Sequence, residues 1–325
     1  MTKYYVFGST DDYLGYFLAD LYQREDTYVF NTERKLSGKL GLFFYRVFFT
    51  LGRQIPCIYK VLALYNRWYL SFITENTNIE VKNDNVFIIF DVRDIAYNGA
   101  FLQMLRKKYN GKIVIIYYNP ISKTRYDESF RNKYYDLICV FSSDDARKYK
   151  ALKITGFYSE LKDVLPDNNE KSDVFFVGSD KGRLSVLHDF YRKAKEEGVL
   201  CNFYINGVPR EKQLFPEEVH YNQYISYKDV IGKIKASKCI LEIIQDGVNG
   251  GTLRYREALT YQKRLISNNT NLEKGVSFDS RFMKKMTSVE SFDFCFIKDT
   301  TPVQYNYSSS SPNIMLDQIK KGLEK

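Results

Sequence analysis

Short apolar runs alternate with longer amphipathic stretches along the chain, and this alternation constrains the fold more than any other feature. In the first half, four apolar runs predict strands at residues 4–7, 86–90, 112–118 and 137–141. Continuous apolar runs are typical of strands whose two faces are both covered by helices. The stretches between them predict helices at 11–22, 97–108 and 144–150. Repeated βα units of this kind predict a parallel, doubly wound α/β sheet.

A polar stretch containing Pro and Asn at 161–173 interrupts the alternation and predicts a domain boundary. A second series follows, with strands predicted at 174–177, 201–205, 239–244, 264–267 and 292–297 and helices at 183–197, 227–236, 253–261 and 313–323. A chain of 325 residues is long enough for two domains. We therefore predict two Rossmann-like domains, at 1–165 and 172–305, and a last helix within 312–325.

Cysteine and histidine usage argues against disulfide and metal chemistry. The five cysteines are scattered without CxxC spacing, which is typical of a reducing compartment. The two histidines, His188 and His220, fit structural roles better than catalytic ones. The chain opens directly on a predicted strand, and no apolar run reaches the roughly 18 residues of a membrane span. We expect a cytoplasmic protein with no metal and no cofactor.

The net charge of +9 is concentrated in one segment, residues 34–74, which holds seven basic residues and no acidic one. Five of the basic residues are spaced seven apart: Lys39, Arg46, Arg53, Lys60 and Arg67. On a helix this spacing forms a slowly drifting stripe, here interleaved with aromatic and aliphatic residues. The pattern favours an anionic membrane surface, where each basic residue contributes about 1 kcal/mol. An internal helix pair with a solvated stripe is the alternative, and a nucleic-acid surface is a weaker third, since no nucleic-acid motif is present.

A glycine-rich turn separates the strand predicted at 239–244 from the helix predicted at 253–261. Gly250 and Gly251 allow close approach of the backbone to a ligand, and a helix that begins near Thr252 directs its free N–H groups at an anion. Glu257, one turn further, can accept hydrogen bonds from a sugar diol. The segment thus predicts a nucleotide site. An ordinary βα turn with a solvated glutamate is the alternative.

This segment resembles the donor-binding motif of the GT-B glycosyltransferases, in particular bacterial enzymes that build capsule, exopolysaccharide or lipopolysaccharide. The resemblance implies two Rossmann-like domains facing across a cleft, with the last helix crossing back to the first. It implies that Gly250, Gly251 and Thr252 take the diphosphate of a UDP-sugar and that Glu257 takes its ribose. Many retaining relatives carry a second acid about eight positions before this Glu, whereas the nearest here, Asp246, lies eleven before it.

The segment 174–183, a predicted strand that ends in a glycine turn before a helix, resembles the start of the donor domain in the same enzymes. Gly178 allows the turn, and Lys181 and Arg183 are placed where cations could neutralise a diphosphate. A βα loop with two solvated cations is the alternative. The resemblance also implies that a third loop borders the nucleobase, through Tyr224, Ser226 and Tyr227.

A catalytic base acting on an acceptor hydroxyl is expected at the carboxyl end of a strand of the first domain. Asp91 and Asp94 follow the strand predicted at 86–90, and Asp12 follows the first strand. A plain salt bridge with Arg93 explains Asp91 and Asp94 equally well. If no such carboxylate acts, a retaining mechanism assisted by the donor phosphate is expected.

The hypothesis is a metal-independent glycosyltransferase at the inner face of the cell membrane, with a lipid-linked or growing polysaccharide as acceptor. A Rossmann dehydrogenase is a rival, but the turn after the first strand lacks the second and third glycines of GxGxxG. A non-catalytic, membrane-associated sugar-nucleotide-binding or scaffold protein is the other alternative.

Overall fold

A computed structural model describes residues 2–8, 12–31, 84–90, 99–123, 128–244, 252–275, 277–306 and 311–324. The described chain contains two six-stranded sheets flanked by helices, and their strands pair in parallel. The predicted α/β class with two Rossmann-like domains is therefore confirmed. The chain divides into a first unit, Met1–Ser159 with Ser311–Lys325, and a second unit, Glu160–Ser310.

The first unit contains strands β1 to β6 in the order β2-β1-β3-β4-β5-β6. They are β1 Lys3–Gly8, β2 Thr27–Asn31, β3 Asn85–Phe90, β4 Lys112–Tyr117, β5 Leu137–Val140 and β6 Leu152–Lys153. The helices are α1 Asp12–Phe17, α2 Gly99–Tyr109, α3 Glu128–Tyr134 and α4 Ser143–Lys148. All six residues of β3 are buried, as an apolar run covered on both faces requires. The sequence pattern missed β2, β6 and α3, which are short or carry polar residues.

The second unit contains strands β7 to β12 in the order β12-β11-β10-β7-β8-β9. They are β7 Ser172–Ser179, β8 Cys201–Asn206, β9 His220–Tyr221, β10 Ser237–Glu242, β11 Arg264–Ser267 and β12 Met283–Lys285. The helices are α5 Leu184–Glu196, α6 Tyr227–Ala236, α7 Leu253–Thr260 and α8 Cys295–Lys298. The strand order reverses between β7 and β10. In open α/β sheets, ligands bind beyond the carboxyl ends of the strands at such a switch point.

The strand predicted at 292–297 is wrong, because the chain there forms a turn and the short helix α8. The Asp293 carboxylate accepts a hydrogen bond from the backbone N–H of Cys295 at 3.0 Å, which starts the helical turn. Phe292 and Phe294 pack on Phe190 of α5, with ring centroids 6.2 and 5.3 Å from it. The apolar run thus covers a helix instead of extending the sheet.

The polar stretch at 161–173 is bound to the second unit. The Nζ of Lys235 donates to the carbonyl oxygens of Leu161 and Val164, both at 2.7 Å. The buried ammonium of Lys233 lies 3.2 Å from the carboxylate of Asp167 and 2.5 Å from that of Glu170. These contacts fix the segment on α6.

The last helix, α9 (Pro312–Leu323), belongs to the first unit. The Ser311 hydroxyl caps it by accepting from the Asn313 backbone N–H at 3.3 Å. Near its other end, Gly322 lies so close to Leu152 that an added β-carbon would be 2.7 Å from the Cδ2 of that leucine. The helix therefore packs closely on the edge of the first sheet.

Candidate functional site

The candidate site lies at the switch point of the second sheet, where β7 and β10 run side by side. β7 leads into the turn before α5, and β10 precedes the chain that reaches α7. The two strands that precede the glycine-rich motif and α5 are therefore adjacent in the sheet. Because the two strands are parallel, their carboxyl ends lie at the same edge of the sheet.

Arg183 is anchored at this edge by backbone carbonyls. Its Nη2 and Nε donate to the carbonyl oxygen of Ser179 at 2.8 and 3.0 Å, and its Nη1 donates to that of Ile243 beyond β10. The guanidinium also lies over the Phe176 ring, 5.3 Å from its centroid. Among the described residues, no carboxylate forms a salt bridge with Arg183. A half-buried cation held by carbonyls is well placed to bind an anion.

The Asp180 side chain provides the hydrogen-bond acceptor for the free backbone N–H groups at the start of α5. Its carboxylate accepts hydrogen bonds from the backbone N–H groups of Gly182, Arg183 and Leu184 at 2.9–3.1 Å. Gly182 has φ +83°, the left-handed conformation that favours glycine. Lys181 is exposed on the same turn. An anion here would therefore be held by side-chain cations and not by these amides.

Glu242, the last residue of β10, links three elements. It is 2% exposed, and its two carboxylate oxygens accept hydrogen bonds from the hydroxyls of Thr252 and Ser267. Thr252 also caps α7 by accepting from the Tyr255 backbone N–H at 3.4 Å. Burial raises the pKa of Glu242, while these hydroxyls and the Arg254 charge oppose the rise. The glutamate fixes the start of α7 to the ends of β10 and β11.

Glu257 is completely buried in α7. Its Oε1 accepts a hydrogen bond from the Tyr227 hydroxyl at 2.8 Å, and its Oε2 pairs with the Arg254 guanidinium. Burial raises the pKa of Glu257, and the negative charge of Glu242 raises it further, whereas Arg254 and Tyr227 lower it. Both oxygens thus already have a partner from the chain. The ribose-binding role of Glu257 stays a prediction.

Arg254 is the residue of this site that the sequence reasoning missed. It lies in the first turn of α7, and its positive charge lowers the pKa of Arg183, which burial lowers most. The charge of Arg254 therefore acts on Arg183 across the switch point. The spacing of three residues between Arg254 and Glu257, which places both on one helix face, could have indicated it.

The first residue of α6, Tyr227, belongs to this network. Tyr227 is buried and reaches Glu257, as described above. Ser226 caps α6, accepting from the Asp229 backbone N–H at 3.2 Å, and Tyr224 is 81% exposed. Contact of the loop before α6 with a nucleobase stays a prediction.

Several predicted residues lie outside the described residues. They are Gly250 and Gly251 of the glycine turn, Asp91 and Asp94 of the expected base, and the basic residues Lys39, Arg46, Arg53, Lys60 and Arg67. Asp12 begins α1, but its side chain lies outside the described part. Within the ranges that the structure describes, no group of three or more His, Cys, Asp or Glu residues could hold a metal ion. None of the helices in those ranges is long and apolar enough to cross a membrane.

No family model matches the chain, and no curated protein matches its sequence. Solved structures do match its fold. An α,α-trehalose-phosphate synthase (UDP-forming) from Burkholderia vietnamiensis superposes with a TM-score of 0.52 at 11% identity, over 100% of both chains. Anabaena Alr3699/HepE, crystallised in complex with UDP and glucose, gives 0.53 at 10% identity, again over 100% of both chains.

A Listeria monocytogenes protein assigned as a UDP-N-acetylglucosamine 2-epimerase gives a TM-score of 0.52 at 9% identity, over 99% of this chain and 96% of that one. At such identities the likeness concerns the fold, whose two parallel sheets and switch point are described above. The chain therefore has the GT-B glycosyltransferase-like fold, in which both sugar transferases and sugar-nucleotide epimerases are found.

Proposed function

We propose that the protein is a glycosyltransferase that moves a sugar from a UDP-sugar donor to a lipid-linked or growing cell-surface polysaccharide. The observation that carries this proposal is the half-buried guanidinium of Arg183 at the switch point of the second sheet, which is held by the backbone carbonyls of Ser179 and Ile243. An arginine that has no salt bridge among the described residues, and on which the positive charge of Arg254 also acts, suits a multiply charged anion. A nucleoside diphosphate has that charge.

The main catalytic requirement on this site is to stabilise the negative charge of the leaving group. When the bond from the sugar to the diphosphate breaks, negative charge accumulates on the leaving UDP. Fixed cations in a partly buried site stabilise that charge without reorganising at the moment of reaction. Arg183 is held in this way by the carbonyls of Ser179 and Ile243. Lys181, exposed on the same turn, adds a cation, and no metal is expected.

The acceptor side of the proposal rests on the sequence. The basic segment 34–74 would hold the protein at the anionic inner face of the cell membrane, where a lipid-linked acceptor is found. Asp94, Asp12 or Asp91 would accept the proton of the acceptor hydroxyl.

The Listeria structure favours a second candidate function, the epimerisation of a UDP-sugar at the same nucleotide site. This reaction needs the donor alone. The third candidate, a sugar-nucleotide-binding or scaffold protein, would bind the donor without converting it.

The test measures UDP release and sugar conversion by purified protein with UDP-glucose, UDP-galactose and UDP-N-acetylglucosamine, with and without a polyprenyl-diphosphate-linked sugar. Arg183→Ala is compared with Arg192→Ala, a control further along α5 whose exposed side chain pairs with Asp189. Acceptor-dependent UDP release that is lost only in Arg183→Ala would support the transferase. Sugar conversion without acceptor would establish the epimerase.

Binding is read separately from turnover by thermal denaturation with UDP. Ligand at a hundred times its dissociation constant adds about 2.7 kcal/mol to the free energy of unfolding. Stabilisation without turnover would indicate the non-catalytic binder. No stabilisation by UDP, together with no turnover, would overturn the proposal.

A further inference from the structure

We propose that Arg254 gates the ribose-binding carboxylate, by exchanging its pairing with Glu257 for the diphosphate of the nucleotide. Arg254 would move onto the phosphate, and Glu257 would then accept the ribose hydroxyls. The inference rests on the proposed function and deepens it, since it says how one site recognises a phosphate and a sugar in turn.

The first step is that Glu257 has to lose a partner. Its side chain is 0% exposed, with one oxygen bonded to the Tyr227 hydroxyl and the other to Arg254. A ribose diol approaches a carboxylate through two hydroxyl donors. Because the Glu257 side chain is fully buried, the diol can reach it only where one of the groups that cover it moves away.

The second step identifies the donor that leaves. Tyr227 is 8% exposed and lies at the start of α6, so its ring is fixed by packing. Arg254 has a long side chain that is 18% exposed, so it reaches the solvent edge of the site. Moving it requires rotations of one flexible side chain, whereas moving Tyr227 requires repacking the start of a helix.

The third step is the force that draws Arg254 away. It lies in the first turn of α7, where the helix dipole disfavours a cation. It also lies close enough to Arg183 for its charge to lower the pKa of that arginine. An anion between the two guanidinium groups relieves both unfavourable interactions. A diphosphate can therefore compete with Glu257 for Arg254.

A coupling follows from this exchange. Recognition of the ribose 2′-hydroxyl requires a diphosphate, because only the diphosphate removes Arg254 from Glu257. We expect UDP to bind about tenfold more tightly than 2′-deoxy-UDP, which is about 1.4 kcal/mol. We expect uridine and 2′-deoxyuridine to bind with equal affinity.

The experiment is titration calorimetry of these four compounds, and of UMP, against the full chain. In Arg254→Ala, the ratio of the affinities for UDP and UMP should fall about tenfold. The affinity gained from the 2′-hydroxyl should become the same for the UDP pair and the uridine pair. The control is Arg256→Ala, two residues along the same helix and therefore roughly 200° around it, which should leave both preferences unchanged.

A second variant keeps the test decisive if Arg254→Ala fails to fold. Glu257→Gln preserves the shape of the buried side chain but removes the charge that holds Arg254. It should lose the 2′-hydroxyl preference and retain the preference for UDP over UMP.

The outcomes separate the two proposals. A wild-type chain that binds no uridine nucleotide overturns the donor site and the exchange together. A wild-type chain that binds UDP with the same 2′-hydroxyl preference as uridine overturns the exchange and leaves the donor site standing. An Arg254→Ala chain that retains the wild-type preference for UDP over UMP also overturns the exchange and leaves the donor site standing.

Discussion

The guanidinium of Arg183 crosses directly over Gly178, so that a β-carbon added to this glycine would lie 2.6 Å from the Nη2 atom. Gly178 is the next-to-last residue of β7, and Arg183 returns over it to bind the carbonyl of Ser179. The glycine is therefore needed for the position of the arginine. The sequence reasoning assigned it only to the turn.

We predict that Gly178→Ala displaces Arg183 and breaks its hydrogen bonds to the strand ends. The free energy of unfolding should fall by about 1–3 kcal/mol, because an extra methyl enters a filled space, and UDP should bind more weakly. Urea denaturation and calorimetry measure the two effects. Gly15→Ala is the control, since no atom of the described residues beyond its chain neighbours and its own helix backbone lies within 4 Å of its added β-carbon. Equal effects at the two positions would contradict the prediction.

We predict that Glu242→Gln changes the pH dependence of stability. Burial raises the pKa of Glu242 above 4.5, so the folded chain holds this proton more tightly than the unfolded chain. The contribution of Glu242 is thus fully present below about pH 4.5 and is lost as the pH rises through the raised pKa. Glutamine does not titrate.

The stability of Glu242→Gln relative to wild type should therefore increase from pH 4.5 upward and level off above the folded pKa. Urea denaturation of both chains between pH 4 and 8 measures this difference. A difference that does not vary with pH would show that the pKa is not raised.

We predict that Lys263 titrates near pH 8. Its Nζ donates to the carbonyl oxygens of Lys235 and Ser237 at 2.7 Å, and burial, aided by the Lys235 charge, lowers its pKa from 10.5 to about 8. Side-chain NMR, with Lys263→Met to assign the signal, should give a midpoint near pH 8. A midpoint near 10.5 would refute the prediction.

The same shift affects stability. A depressed folded pKa favours folding above pH 10.5, and this contribution is lost as the pH falls through about 8. The stability of Lys263→Met relative to wild type should therefore increase from pH 10.5 down to 8 and stay constant below it.

We predict that Gly322→Leu loosens α9 from the first unit. A β-carbon at this position already lies 2.7 Å from Leu152 and 3.1 Å from Leu137, so a leucine side chain has no room. The free energy of unfolding should fall by at least about 1–3 kcal/mol, and hydrogen exchange should increase in α9. Lys321→Ala, at an exposed neighbouring position, should change stability by less than about 0.5 kcal/mol. Protection of α9 that is unchanged by Gly322→Leu would disprove the packing role.

The sequence was sufficient for strands whose two faces are buried. The run at 264–267 matches β11 at both ends, because every residue of Arg264–Ser267 is buried. The run at 292–297 is richer in apolar residues, yet its Phe292 and Phe294 pack on Phe190, so composition alone does not distinguish a strand from a turn that covers a helix. β6 and β9, with two residues each, are too short to give a pattern.

For the candidate site, the sequence indicated the two turns but not how their side chains are paired. The sequence predicts that Glu257 binds a ligand, but it does not indicate the bond of Glu257 to Tyr227, which lies thirty positions before it. A bond over that separation depends on how α6 and α7 pack on the sheet. Arg254 was missed for the same reason, because its importance arises from the effect of its charge on Arg183, which lies in the turn before another helix.

The return of α9 to the first unit affects the order in which the ribosome completes the two units. The second unit is one continuous stretch, Glu160–Ser310, so all of it is synthesised before α9. It can therefore fold while the first unit still lacks the helix that covers Leu137 and Leu152. The first unit is thus begun before the second but completed after it. A nascent chain exposes an apolar edge of the first sheet until Pro312–Leu323 has emerged from the ribosome.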